Sequence, residues 1–122
     1  MTGKRSRTKG HSFERQMANM FTSIGFPDAR RGIQYRDGAE CPDVMNIEDV
    51  WVECKVGARP NIKGAMEQAT KACGSMKPIA ITKWDRGPTY VTMNLEFFKV
   101  LISLYGGENE ADRTRGEDSQ RE

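Results

Sequence analysis

The stretch CPDVMNIEDVWVECK, Cys41–Lys55, decides how the rest of the chain is read. Val50, Val52 and Cys54 alternate with Trp51, Glu53 and Lys55, a period of two that predicts a strand with one apolar face. Pro42 to Asn46 reads as the strand before it, joined through a three-residue loop of Ile47, Glu48 and Asp49. Such loops are common in hairpins and favour glycine at the last position, here taken by Asp49. This register sets Val44 opposite Val52 and Asp43 opposite Glu53. The valines then share one face and the carboxylates the other, and a slip of one residue would separate each pair. Directly opposed side chains have Cβ atoms about 5 Å apart.

Two carboxylates so placed repel, and one is driven toward its protonated form unless a cation lies between them. Mg²⁺ suits the position: it takes hard oxygen ligands, one or two carboxylates among them, and keeps water and phosphate oxygens for the rest. Asp43 and Glu53 supply the carboxylates, and the Cys54 backbone carbonyl is a third candidate oxygen. Lys55, two residues beyond Glu53, projects from the same face, where an ammonium favours hydroxide and counters charge building on a phosphate. E-x-K alone is equally a solvated surface pattern. The Pro-Asp pair on the preceding strand is what raises it to a candidate site.

Outward from the hairpin, residues 12–24 carry Phe13, Met17, Met20, Phe21 and Ile24 on one stripe, predicting an amphipathic helix capped by Ser12 and stopped by Gly25. Glu14 lies at the border of that stripe, leaning toward whatever the helix packs on. It is also an acid in a first turn, where the helix dipole favours one. Residues 29–35 predict a first strand. Asn61 caps a second helix running through Cys73, with Ile62, Ala65, Met66, Ala69 and Cys73 on its buried side. Residues 78–82 and 89–93 predict two strands joined by the turn DRGP. Asn94 caps a last helix to Gly106 whose apolar residues exceed a single buried stripe. Either it is sunk in the core or it is shared with a partner, and the second option implies a homodimer. The order predicts an α/β fold, a mixed central sheet flanked by helices, with antiparallel hairpins first and a crossover helix after them.

The chain has 122 residues, enough for one domain, and 37% hydrophobic against 30% charged residues, ordinary for a soluble protein. No apolar run approaches the ~20 residues of a membrane span. No secretory signal opens the chain, and the expected location is the cytoplasm. Three cysteines and the single His11 form no CxxC pair, which argues against zinc and against a disulfide framework. Net charge is +2, but residues 106–122 hold six of the 17 acids and three of the 19 basic residues. The remainder carries 16 basic groups against 11 acidic ones, and Lys4, Arg5, Arg7 and Lys9 stand in its first nine residues without an acid. This divides the chain into a basic flexible arm (1–11), a folded domain (12–105) and a disordered polar, acidic tail (106–122). A basic body suits nucleic acid.

Pro42-Asp43 followed by Glu53-Cys54-Lys55 resembles the PD-(D/E)xK nuclease superfamily. The helix GHSFERQMANMFTSIGF is similar to the opening of archaeal-type Holliday junction resolvases, with Gly10, Phe13, Glu14 and Arg15 matching a glycine, an aromatic and Glu-Arg. The resemblance covers residues 10–83. It implies a restriction-endonuclease-like αβββαβ core and a structure-specific DNA endonuclease using Mg²⁺ or Mn²⁺. Asp43 and Glu53 would hold the metal, Glu14 would support it or its waters, and Lys55 would act on the attacking water. Gln68 matches a polar position on the following helix. Lys4, Arg5, Arg7, Lys9, Arg15, Arg30, Arg31 and Arg36 are the candidate DNA contacts. The serine-containing loop after the first strand is replaced here by RRGIQYRDGAEC. A VRR-type or DNA repair nuclease also combines these motifs, and a non-catalytic DNA-binding module is the alternative outside enzymes. Such a compact chain would suit a prokaryote or phage.

Overall fold

A computed structural model describes residues 2–33 and 40–107. Helix α1 (Thr2–Ser23) leads into strands β1 (Arg30–Arg31), β2 (Val44–Met45) and β3 (Val50–Gly57). Helix α2 (Ile62–Ala72), strands β4 (Lys77–Trp84) and β5 (Thr89–Met93) and a helix over residues 95–107, α3, follow. The five strands lie in chain order in one sheet, antiparallel except for β3 and β4, which α2 joins as a parallel pair. The protein is α/β, with a mixed central sheet flanked by helices in the αβββαβ, restriction-endonuclease-like order. No helix among the described residues is long and apolar enough to cross a membrane.

The central strand has a helix over each face, and this is why β3 is buried at four consecutive positions, Trp51 to Cys54, rather than at alternate ones. On one face Val52 and Cys54 join Phe13, Ala18 and Phe21 of α1 with Val44, Ile79 and Ile81. On the other, Trp51 packs with Ala69 and Cys73 beneath α2. The small Ala65 and Ala69 let α2 lie close to the sheet, and both are fully buried. Asn61 caps α2 as expected, its Oδ1 accepting the Gly64 N–H at 2.9 Å. Asn94 does the same for α3, accepting the Phe97 N–H at 2.8 Å.

Helix α1 begins ten residues before its expected start. Ser12 lies inside it, and residues 2–11, expected as an arm, form its first turns. No proline interrupts the segment, and its Lys and Arg residues are good helix formers that offset the unfavourable Gly3 and Gly10, so the helix extends upstream of the Ser12 cap signal. The first strand is also shorter than expected, Arg30–Arg31. Arg36 and all but the first two residues of the acidic tail lie outside the described residues. The hairpin keeps the expected register, but β2 ends at Met45 rather than Asn46, so four residues connect it to β3, and Asn46 (φ 68°) and Asp49 (φ 62°) both take the left-handed conformation that glycine usually fills. α3 is neither sunk in the core nor covered by other described residues: Phe97 packs inward, and most of its remaining apolar side chains are exposed.

Candidate active site

Val44 pairs with Val52, as the sequence register requires. Asp43 does not continue that ladder one step further. Its N–H donates to the same Val52 carbonyl at 2.8 Å, so residues 43 and 44 together face one residue of β3, a β-bulge. The bulge turns the Asp43 side chain across the strands, where Oδ2 accepts the Cys54 N–H at 2.7 Å. In an extended strand the N–H and C=O of one residue leave by the same edge. The Cys54 carbonyl therefore faces the Asp43 side as well. From the other strand Glu53 reaches the same place, within hydrogen-bonding range of the Asp43 carboxyl. The two carboxyl groups meet as expected, by a bulge rather than by cross-strand pairing.

A close backbone crossing holds the bulge. The Gly32 N–H donates to the Asp43 carbonyl at 2.8 Å, and a Cβ on Gly32 would stand 1.8 Å from the Pro42 carbonyl oxygen. Any side chain at 32 would push the chain off Pro42 and displace Asp43 with it.

Glu53 is 4% exposed, and its Oε1 accepts the Trp51 indole N–H at 2.9 Å. Burial raises its pKa to about 7, against the indole hydrogen bond and the Lys55 charge, and the Asp43 carboxylate adds to the rise. Asp43 Oδ1 and Glu53 Oε2 accept no hydrogen bond from the described residues. Lys55 lies on the Trp51–Glu53 side of β3 and is exposed.

Glu14 projects from α1 toward the same cluster and is held by Arg31, whose Nε lies 2.7 Å from its Oε2. Burial still raises its pKa, assisted by the Asp43 carboxylate and opposed by Arg31 and His11. The thiols of Cys41 and Cys54 are also pushed up, by burial first and then by Asp43, Glu14 and Glu53. Four groups on three segments, Glu14, Cys41 and the neighbours Glu53 and Cys54, thus feel the same negative field, in a chain whose net charge is positive.

Asp43 acts on both other acids, on Glu53 from the neighbouring strand and on Glu14 of α1, and the Lys55 charge acts on Glu53. Arg31, expected on phosphate, is instead the partner of Glu14, and Lys9 is paired with Asp85 at 2.9 Å. Lys4, Arg5, Arg7, Arg15 and Arg30 are exposed, and Gln68 is exposed on α2 with no hydrogen bond to the carboxylates. A Cβ on Gly10 would meet nothing within 4 Å, so packing among the described residues does not require a glycine there. Sequence reading missed Trp51, His11 and Gly32. Two had a periodic signal, since Trp51 is two strand residues from Glu53 and His11 three helical residues from Glu14. The backbone crossing at Gly32 had none.

No group of three or more His, Cys, Asp or Glu side chains among the described residues is placed to hold a metal ion. The donor set is two carboxylates with a backbone carbonyl on the same edge. That fits Mg²⁺, which needs only one or two carboxylates, and does not fit a zinc cage. No family model, curated protein or solved structure matches the chain.

Proposed function

We propose that this chain is a divalent-metal-dependent endonuclease acting on DNA, branched DNA in the first instance. The observation that carries the reading is the Asp43–Glu53 contact: two carboxyl groups, one buried, abut each other, and each keeps an oxygen that no described residue occupies. Asp43, Glu53 and the Cys54 carbonyl would hold Mg²⁺ or Mn²⁺, with Glu14 supporting it from α1. When bound, the ion supplies Lewis-acid activation of water and neutralises charge on a phosphodiester.

The chain's own groups divide the remaining work. The Cys54 N–H holds Asp43 Oδ2 and the Trp51 indole holds Glu53 Oε1, so that the opposite oxygen of each carboxyl is turned to the shared space. Lys55 places an ammonium next to Glu53, where it stabilises negative charge developing on a phosphate oxygen and orients the water that attacks phosphorus. Arg31 restrains Glu14 while no other cation competes for its carboxylate. Exposed Lys4, Arg5, Arg7, Arg15 and Arg30 are the candidate contacts for DNA phosphates, each contact steepening the salt dependence of binding.

The test is incubation with labelled four-way junction, flap and linear duplex, with and without Mg²⁺. The reading expects cleavage that requires the ion, leaves 5′-phosphate ends and is fastest on the junction. Fastest cleavage of flaps or linear duplex would favour a repair-type nuclease. Binding without cleavage in Mg²⁺ or Mn²⁺ would assign a non-catalytic DNA-binding module.

A further inference from the structure

The helix over residues 95–107 has a narrow polar stripe, Glu96, Lys99 and Ser103, and is apolar around most of its remaining circumference. Phe97 faces the core, packed against the α1-side cluster. Leu95 (67% exposed), Phe98, Ile102 and Tyr105 (74% exposed) lie outward, joined on one flank by Leu101 and beyond the sheet by Leu104. A monomer's largest apolar patch is usually about 300–600 Å². The exposed apolar side chains of this one helix amount to more, on the order of 800 Å², which is about what each partner gives to a dimer interface of standard size.

We propose that this face is the interface for a second copy of the chain, two α3 helices packing about a two-fold axis. Leu95, Phe98, Ile102 and Tyr105 are spaced i, i+3, i+7 and i+10, the alternating three-and-four spacing of a helix–helix seam. A seam of this kind needs a helix opposite it. Helices α1 and α2 are both committed to their own faces of the sheet. Residues 108–122, which follow α3 directly, contain no large apolar side chain to lay on the stripe, and residues 34–39, between β1 and β2 at the far side of the sheet, hold only Tyr35. An identical helix covers the stripe, because a two-fold interface asks only that one patch complement itself. Val91, exposed on the neighbouring edge strand β5 and on the same face as Met93, extends the apolar surface beside it. The proposal does not depend on the nuclease reading, since the face lies at the sheet edge away from the carboxylates.

Sedimentation velocity of the full chain across the micromolar range tests this. The wild type is expected at twice its 13.8 kDa. Ile102→Glu, and separately Tyr105→Lys, should raise the dimer dissociation constant at least about a hundredfold, as loss of an interface anchor does. Both side chains are exposed in one protomer, so circular dichroism and the unfolding midpoint of the monomer should stay unchanged. Ser103→Glu, on the polar stripe, should leave the dimer intact. A wild type that stays monomeric throughout the range would overturn the proposal and assign the face to a different protein. A dimer that survives both Ile102→Glu and Tyr105→Lys would overturn it as well, placing the contact elsewhere.

Discussion

The two edges of the sheet break opposite rules of folding. On the β1 side of the sheet, the half-buried Asp43 carboxyl lies beside buried Glu53 of the central strand, and Glu53 is driven up to about pH 7 before it ionises. At the β5 edge, leucines, isoleucine and aromatics that favour a core stand in solvent along α3. In the middle, Val44, Val52, Ala80 and Ile81 are almost wholly buried between the helices, and one buried hydroxyl, Thr82 Oγ1, has no hydrogen-bond partner among the described residues. Stability is therefore concentrated in the centre, and each edge is incomplete in a chemically specific way. One lacks positive charge and the other lacks apolar cover.

The largest expected effect breaks the acidic edge outright. Asp43→Asn removes one of the two charges that would grip a cation, and nicking of a labelled junction should fall at least about a thousandfold. DNA binding by gel shift should be retained or tightened, because a negative charge is lost. Normal cleavage by this variant would end the metal-site reading.

Next in size is the pH dependence of folding. Glu53 has its pKa raised from 4.5 to about 7 by burial, so the folded protein holds a proton that the unfolded chain has released between those values. Its contribution to stability is full below about pH 4.5 and is lost as pH rises through about 7, on the order of 3 kcal/mol across the window. Glu53→Gln should flatten that stretch of the urea-unfolding profile and stabilise the protein above pH 7. An unchanged slope would show that the two carboxyl groups do not crowd each other in solution.

Trp51→Phe sharpens the comparison without destroying it. The aromatic bulk over Ala69 and Cys73 is retained and only the hydrogen bond to Glu53 Oε1 is lost. Partners that orient a metal ligand are worth about 10–100-fold in affinity, so half-saturation for Mn²⁺ should rise by that factor. An unchanged Mn²⁺ titration would make the indole a packing residue alone. The smallest effect belongs to a site remote from both edges. Asn61→Ala removes the cap of α2 and should cost about 1 kcal/mol in denaturant unfolding while leaving cleavage and assembly unchanged. A change in either would mean that α2 is coupled to an edge.

What could be read from the chain follows from how local each cause is. Strand β3, both caps and the hairpin register rest on neighbouring residues, and Val44 opposite Val52 needed only the period of two and a loop length. The bulge at Asp43 depends on Gly32 passing under Pro42, a contact between segments that no periodicity records. Arg31 looked like any phosphate-facing arginine until the fold set it 2.7 Å from Glu14. The start of α1 is not legible locally, because Ser12 is a good cap wherever it occurs and Gly10 just before it disfavours the longer helix that the structure has. Excess apolar residues in α3 were legible, whereas their exposure was not, because burial is a property of the assembled layers.

The central proposal is that the Asp43–Glu53 pair seats a hard divalent ion. Titration of the protein with Mn²⁺ above pH 7, followed by electron paramagnetic resonance of the free ion, measures this most directly. Saturable binding that is lost in both Asp43→Asn and Glu53→Gln is the predicted result. Binding that persists unchanged in both variants, or a wild type that takes up no Mn²⁺ even with junction DNA present, would contradict it.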